Sequence, residues 1–132
     1  MKKVIVTGAS KGIGKTIALS LLKKNFGVIG ISRSHTIKHK NYFPINQDLQ
    51  VIEGYKEQID SIIKAHTNIE AVISNAGNGI FENLENIPSN YILPFLNLNL
   101  LSHILISKYL VTYFKKKKKA SLYSWAQRQH QM

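Results

Sequence analysis

Hydrophobic positions along this chain follow two periods in turn. Val4-Ile5-Val6-Thr7 is a short β-branched run that stops at Gly8, the pattern of a strand buried on both faces. From Ile13 the period lengthens. Ile17, Ala18, Leu21 and Leu22 recur at spacings of three and four, and Lys23-Lys24-Asn25 followed by Gly27 close the helix they predict. Val28–Ser32 predicts a second strand and Tyr42–Ile45 a third, separated by a basic loop containing Arg33, His35, Lys38, His39 and Lys40. Ile52, Ile59, Ile62 and Ile63 predict an amphipathic helix up to His66, and Ala71–Ser74 a fourth strand. Pro88 and Pro94 punctuate the next stretch. A long helix is then expected from about Leu96 to the lysines at 115–119, whose charge opposes the helix dipole.

Strands separated by helical segments point to a Rossmann-type, doubly wound parallel sheet between helical layers, an α/β/α sandwich. About four strands are legible, in the expected order 3-2-1-4. Ala120–Gln127 lacks the apolar run a fifth strand would carry. Residues 1–119 are therefore expected to form the N-terminal part of such a domain and residues 120–132 an aberrant, disordered tail. The fourth strand is then a bare edge and the isolated chain marginally stable.

Composition narrows the function classes. The chain has 132 residues, 44% of them hydrophobic, enough for one domain. With no cysteine, disulfides and thiolate metal sites are excluded, and a reducing cytoplasm is the expected location. The apolar run before Thr7 is too short for a signal-peptide core. The longest later one, Leu98–Phe114, is broken by Asn99, Ser102, His103, Ser107, Lys108 and Thr112, so no membrane span is expected.

The net charge of +11 raises the question of nucleic acid. Six of the 18 basic residues and none of the seven acidic ones fall in residues 115–132, which leaves the body of the chain at +5. That distribution disfavours an electrostatic nucleic-acid binder.

The strongest chemical signal is Thr7-Gly8-Ala9-Ser10-Lys11-Gly12-Ile13-Gly14, placed where the first strand meets the first helix. In such a turn one glycine permits the tight bend, a second lets backbone approach a pyrophosphate, and a third lets helix pack on strand. The helix amino terminus then offers N–H groups and partial positive charge to the phosphates.

At these residues the chain resembles the short-chain dehydrogenase/reductase family, whose nucleotide motif T-G-x-x-x-G-x-G is matched by Thr7, Gly8, Gly12 and Gly14. Three further motifs follow in the family's order. Asp48-Leu49 resembles its adenine-contacting pair. Asn75-Ala76-Gly77 resembles the N-A-G motif that steadies the sheet and lines the cofactor site. Asn99 resembles the helix asparagine that holds a water in the family's proton relay. The resemblance covers residues 3 to about 117 and implies an oxidoreductase acting on a small carbonyl compound or secondary alcohol. It also implies the family's usual homo-oligomer, which this chain is not expected to form because one of the family's dimer helices is not found.

NAD use generally needs a carboxylate at the end of the second strand for the ribose 2′-OH. Ser32 holds that place, Arg33 follows it, and Lys11 lies in the glycine turn. Both cations suit a 2′-phosphate, so NADP(H) is favoured over NAD(H). The cofactor-binding set thus comprises Thr7, Gly8, Ser10, Lys11, Gly12, Ile13, Gly14, Ser32, Arg33, Asp48, Leu49 and Asn75 to Gly77.

The family's catalytic Tyr-x-x-x-Lys, with a Ser before it, is not found at its expected place after a fifth strand. Only Tyr113 and Lys117 have the spacing, too soon after Asn99, and the reading takes that match as accidental. Cofactor binding without turnover is therefore expected. A lysine run is often encoded by an adenine tract, and a frame shifted there can encode an apolar strand ending in a serine. A truncated or frameshifted enzyme is thus the leading reading, and a non-catalytic nucleotide-binding or regulatory module the alternative.

Overall fold

The computed structural model describes residues 1–117 and the backbone of Ser121–Ser124. Its centre is β1 (Lys3–Thr7), which pairs in parallel with β2 (Gly27–Ser32) on one side and β4 (Ile69–Ser74) on the other. β3 (Tyr42–Asn46) continues beyond β2, with Val28 opposite Tyr42 and Ser32 opposite Asn46. The order 3-2-1-4 read from the sequence is thereby established. Pro44, which cannot donate to a ladder, sits in β3, the outermost strand on that side.

Side chains alternate across β1 and feed two cores. On one face Ile5 joins Ile29 and Val72 beneath Ile59 and Ile62 of α2 (Tyr55–Ala65) and Ile106 and Leu110 of α4 (Ser102–Lys117). On the other, Val4, Val6 and Val28 meet Ala18 and Leu22 of α1 (Gly12–Lys23). The isoleucines at helical spacing in α2 therefore do what their period predicts, and the three layers follow from this division.

Three details differ from expectation. α1 ends at Lys23, where Lys23-Lys24-Asn25 place its end, but it closes on a Schellman motif at Asn25 and not at Gly27: Phe26 N donates to Leu21 O and Asn25 N to Leu22 O. Asn25 takes the left-handed conformation there, at φ 65°, which asparagine tolerates better than most residues. Pro94 does not precede the long helix but lies inside α3 (Ser89–Leu96). A π turn at Asn97–Leu101 then carries the chain from α3 into α4, one continuous helical path rather than a single regular helix.

The third correction is at the sheet edge. β5 (Ser121–Ser124) pairs in parallel with β4, Ala71 opposite Ser121 and Ser74 opposite Ser124, so β4 is not bare. Ladder bonds need backbone N–H and C=O groups rather than an apolar run, and a non-proline segment meets that need. The remaining expectations for 118–120 and 125–132 lie outside the described residues. No described helix is long and apolar enough to cross a membrane.

Candidate functional site

A cleft of about 370 Å³ opens at the carboxyl ends of β1, β2, β3 and β4, where ligands bind in open α/β sheets. Five chain segments line it: the glycine turn after β1, residues 31–34 at the end of β2 and beyond, residues 47–50 after β3, Asn75-Ala76-Gly77 after β4, and Leu98.

The three glycines of the turn divide the work as the spacing suggests. Gly8 has φ +70°, and a Cβ there would press within 2.9 Å of the Ala76 backbone, so the turn is tight and flush against the next strand. Gly12 has φ +58°, and a Cβ built on it would meet nothing within 4 Å. Its exposed backbone therefore faces open space at the mouth of the cleft. Gly14 is buried where α1 crosses the turn, and a Cβ there would collide with the Gly8 carbonyl oxygen and the Asn75 amide.

The first turn of α1 carries no side-chain cap and no acidic residue. Its orphan N–H groups and dipole are thus free to meet an anion. Lys11 adds a positive charge on the cleft wall, and Ser10 and Ile13 complete this wall. An open backbone cradle, uncapped amides and a cation together fit a pyrophosphate.

Thr7 and Gly14, two of the expected cofactor-binding residues, do not line the cleft. Thr7 is 1% exposed, and its Oγ1 accepts from Asn75 N at 2.9 Å and Ala76 N at 3.0 Å. It clamps the end of β1 to the end of β4. Asn75 Nδ2 reaches back to Gly8 O at 3.3 Å, closing the same clamp from the other side.

Across the cleft, Ser32, Arg33 and Ser34 follow β2 and Asp48 and Leu49 follow β3. The Asp48 carboxylate accepts from Gln50 N at 2.9 Å, which fixes the turn while keeping the residue at the cleft. Leu49 is 4% exposed and its carbonyl accepts from Tyr55 Oη. Burial, and next the nearby Asp48 charge, push the Tyr55 phenol well above its usual range, so it stays protonated and keeps its donor for that carbonyl.

Sequence reasoning missed Ser34, Gln47 and Gln50, which share these walls, and Leu98, which approaches from the π turn. Ser34 and Gln47 stand next to residues that were named, so adjacency was the available signal. Leu98 arrives only through tertiary packing.

Asn99 lies at the middle of the π turn and does not itself line the cleft. Its Oδ1 accepts from Asn78 N at 3.0 Å, and its Nδ2 donates to Asn78 Oδ1 at 3.0 Å and Phe95 O at 2.9 Å. The side chain thus ties the helix to the loop after Gly77. Tyr113 and Lys117 are elsewhere. Tyr113 Oη accepts from Ile69 N at 3.2 Å, at the start of β4, and Lys117 sits 4.8 Å from the ring centre. Ser74 is five steps along the strand from Ile69, so this phenol is roughly 16 Å from the cleft end of β4. The pair cannot serve a ligand in the cleft.

His103, one turn beyond Asn99, is 9% exposed, and neither ring nitrogen has a hydrogen-bond partner among the described residues. Burial lowers its pKa, and the adjacent Ala76 backbone opposes that shift without reaching hydrogen-bonding geometry. A histidine held neutral in the fold takes up its proton later than the unfolded chain does. Its contribution is therefore present above the ordinary value of 6.5 and is lost as pH falls from there through the lowered folded value. His66, lowered by burial and then by Lys3, adds a change of the same sign. His103→Leu is expected to flatten, but not abolish, the loss of stability between about pH 7 and 5 in urea titrations. An unchanged slope would count against this assignment.

The comparisons with known proteins agree with this geometry. A family model described as short chain dehydrogenase matches residues 2–123. The 3-oxoacyl-acyl-carrier-protein reductase of Buchnera aphidicola from Acyrthosiphon pisum is 38% identical over 79 residues, 54% of this chain and 32% of its own length. The ligand-free aldohexose dehydrogenase of Thermoplasma acidophilum superposes with a TM-score of 0.84 at 29% identity, over 93% of this chain and 48% of that one. ElxO with NADP bound gives 0.82 at 25% identity, over 93% and 54%. The chain spans about a third of the curated relative's length and half that of these structures. With the glycine turn, the N-A-G loop and the strand order all in place, the chain belongs to the short-chain dehydrogenase family.

Proposed function

We propose that this chain is the cofactor-binding portion of an oxidoreductase that exchanges hydride with a small carbonyl compound or secondary alcohol, and that it prefers NADP(H). The observation that carries the reading is the open backbone at Gly12, set between the uncapped start of α1 and the cations Lys11 and Arg33. The backbone amides would receive the pyrophosphate, Asp48 and Leu49 the adenine end, and Asn75 to Gly77 the approach to the nicotinamide. Bound there, the cofactor supplies or accepts the hydride.

Preference for the 2′-phosphate rests on charge. Ser32 stands where a carboxylate would repel that phosphate, and Arg33 and Lys11 face the same cleft. ElxO, solved with NADP bound, is a fold neighbour that carries this ligand. Proton transfer to the substrate oxygen needs a tyrosine activated by a nearby cation. Tyr113 cannot supply it, because its hydroxyl is engaged at the far end of β4. We therefore expect binding without turnover from these 132 residues.

Fluorescence titration of the purified chain with NADPH and NADH tests the proposal. Tighter binding of NADPH and no carbonyl reduction are expected. Absence of nucleotide binding, or tighter binding of NADH, would overturn the cofactor reading, and turnover would overturn the catalytic one. Arg33→Ala is expected to weaken NADPH by about 10- to 100-fold, the equivalent of the roughly 1.5–3 kcal/mol of a charge-assisted hydrogen bond. NADH should change little.

A further inference from the structure

The loop that carries Arg33 is fastened in a way its charge pattern does not reveal. We propose that His35 is a positioning residue for cofactor choice, latching residues 33–37 onto β3 so that Arg33 and Ser34 are preset for a 2′-phosphate. The inference rests on the nucleotide-binding reading above.

The latch is built from both ring nitrogens. Nε2 lies 3.0 Å from the Ile45 carbonyl, which can only accept, so Nε2 carries the proton. In the neutral ring Nδ1 then accepts from Tyr42 Oη, 2.6 Å away. Tyr42 is 5% exposed, and its ring lies against the backbone of Gly30, where any Cβ would collide with the phenol. Gly30 in the middle of β2 thus makes room for Tyr42, Tyr42 presents its hydroxyl, and the hydroxyl with the Ile45 carbonyl holds His35.

Two further ties fix the rest of the loop. Thr36 Oγ1 donates to Ser10 O at 3.2 Å, joining the loop to the glycine turn on the opposite wall of the cleft. Ile37 packs into the core formed by Val4, Val28 and Tyr42. Arg33 and Ser34, which line the cleft, are therefore the exposed crest of a segment held from below. A group ordered before binding loses less freedom when the ligand arrives. Only a ligand bearing the 2′-phosphate uses these two residues, so the benefit falls on NADPH and not on NADH.

The test titrates His35→Ala and Tyr42→Phe in the full chain with both nucleotides, alongside thermal melts. Each variant is expected to weaken NADPH about tenfold while NADH stays within about twofold, because only the preset phosphate contacts are lost. The double variant should be no weaker than the worse single one, since the two residues share one interaction. Should His35→Ala fail to fold, Thr36→Val removes an exposed tie of the same loop and is expected to move the NADPH to NADH ratio in the same direction. Equal weakening of both nucleotides, or an unchanged ratio, overturns the latch while leaving NADPH preference intact. A parent chain that binds neither nucleotide, or both alike, overturns the cofactor reading and the latch with it.

Discussion

Replacing Gly14 by alanine is expected to cost about 3 kcal/mol of folding stability and to abolish nucleotide binding. The added Cβ would occupy the place of the Gly8 carbonyl oxygen and the Asn75 amide, both of them parts of the clamp between β1 and β4. Backbone cannot rotate aside as a flexible side chain can, so α1 must lift away from the turn. Overpacking of this kind costs about 1–3 kcal/mol, and the displaced Asn75 to Gly8 hydrogen bond adds about 1 kcal/mol. Domains hold only about 5–15 kcal/mol in total. Urea unfolding should show a lower midpoint with an unchanged slope, and a variant as stable as the parent would contradict the assigned packing. Gly12→Ala separates the effects. A Cβ there meets no protein atom, so its cost should come from the positive φ and from the ligand's space.

Thr7→Val should be nearly as damaging, although it changes neither size nor shape. The Thr7 hydroxyl is the acceptor for two backbone N–H groups, those of Asn75 and Ala76. Valine leaves both donors without a partner beside a 1% exposed site, at about 1–3 kcal/mol for each. Thr7→Ser keeps the acceptor and should lose no more than about 1 kcal/mol for the missing methyl. The contrast between the two substitutions, read by the same unfolding experiment, separates the hydrogen bonds from the packing. If valine is as stable as the parent while serine loses about 1 kcal/mol, Thr7 acts through volume and the clamp contributes nothing.

The division of labour within T-G-x-x-x-G-x-G explains what the sequence could and could not disclose. The glycines were legible because each demand on the backbone, a positive φ or a vanishing side chain, leaves few residue types available. Gly14's role in packing helix on strand was legible from its place in the motif, but that Thr7 works behind the cleft was hidden, because spacing gives the company of a residue but not the side of the wall on which it stands. The strands were legible because both faces of a parallel sheet are covered, so Val4-Ile5-Val6 reads as unbroken apolar sequence. β5 was not. Its evidence is backbone pairing to β4, and its residues lack the apolar run that signalled the others.

The π turn at Asn97–Leu101 was hidden for a different reason. Pro94 advertises an interruption, but its position relative to the helix ends depends on how the chain packs over β4 and the loop after Gly77. The Asn99 to Asn78 hydrogen bonds that fix this packing join residues 21 apart. His35 shows the same limit. In the sequence it is one of several basic residues in a loop, and only the fold brings Tyr42 Oη and Ile45 O to its two nitrogens.

The most direct measurement of the central claim is a backbone amide NMR titration of the chain with NADPH, reading which N–H groups respond. Shifts concentrated at Gly8, Gly12 and Ile13, with Arg33, Ser34 and Leu49 following, are the result the cleft geometry predicts. Shifts confined to the lysine-rich residues 115–117, or none at saturating nucleotide, would contradict it.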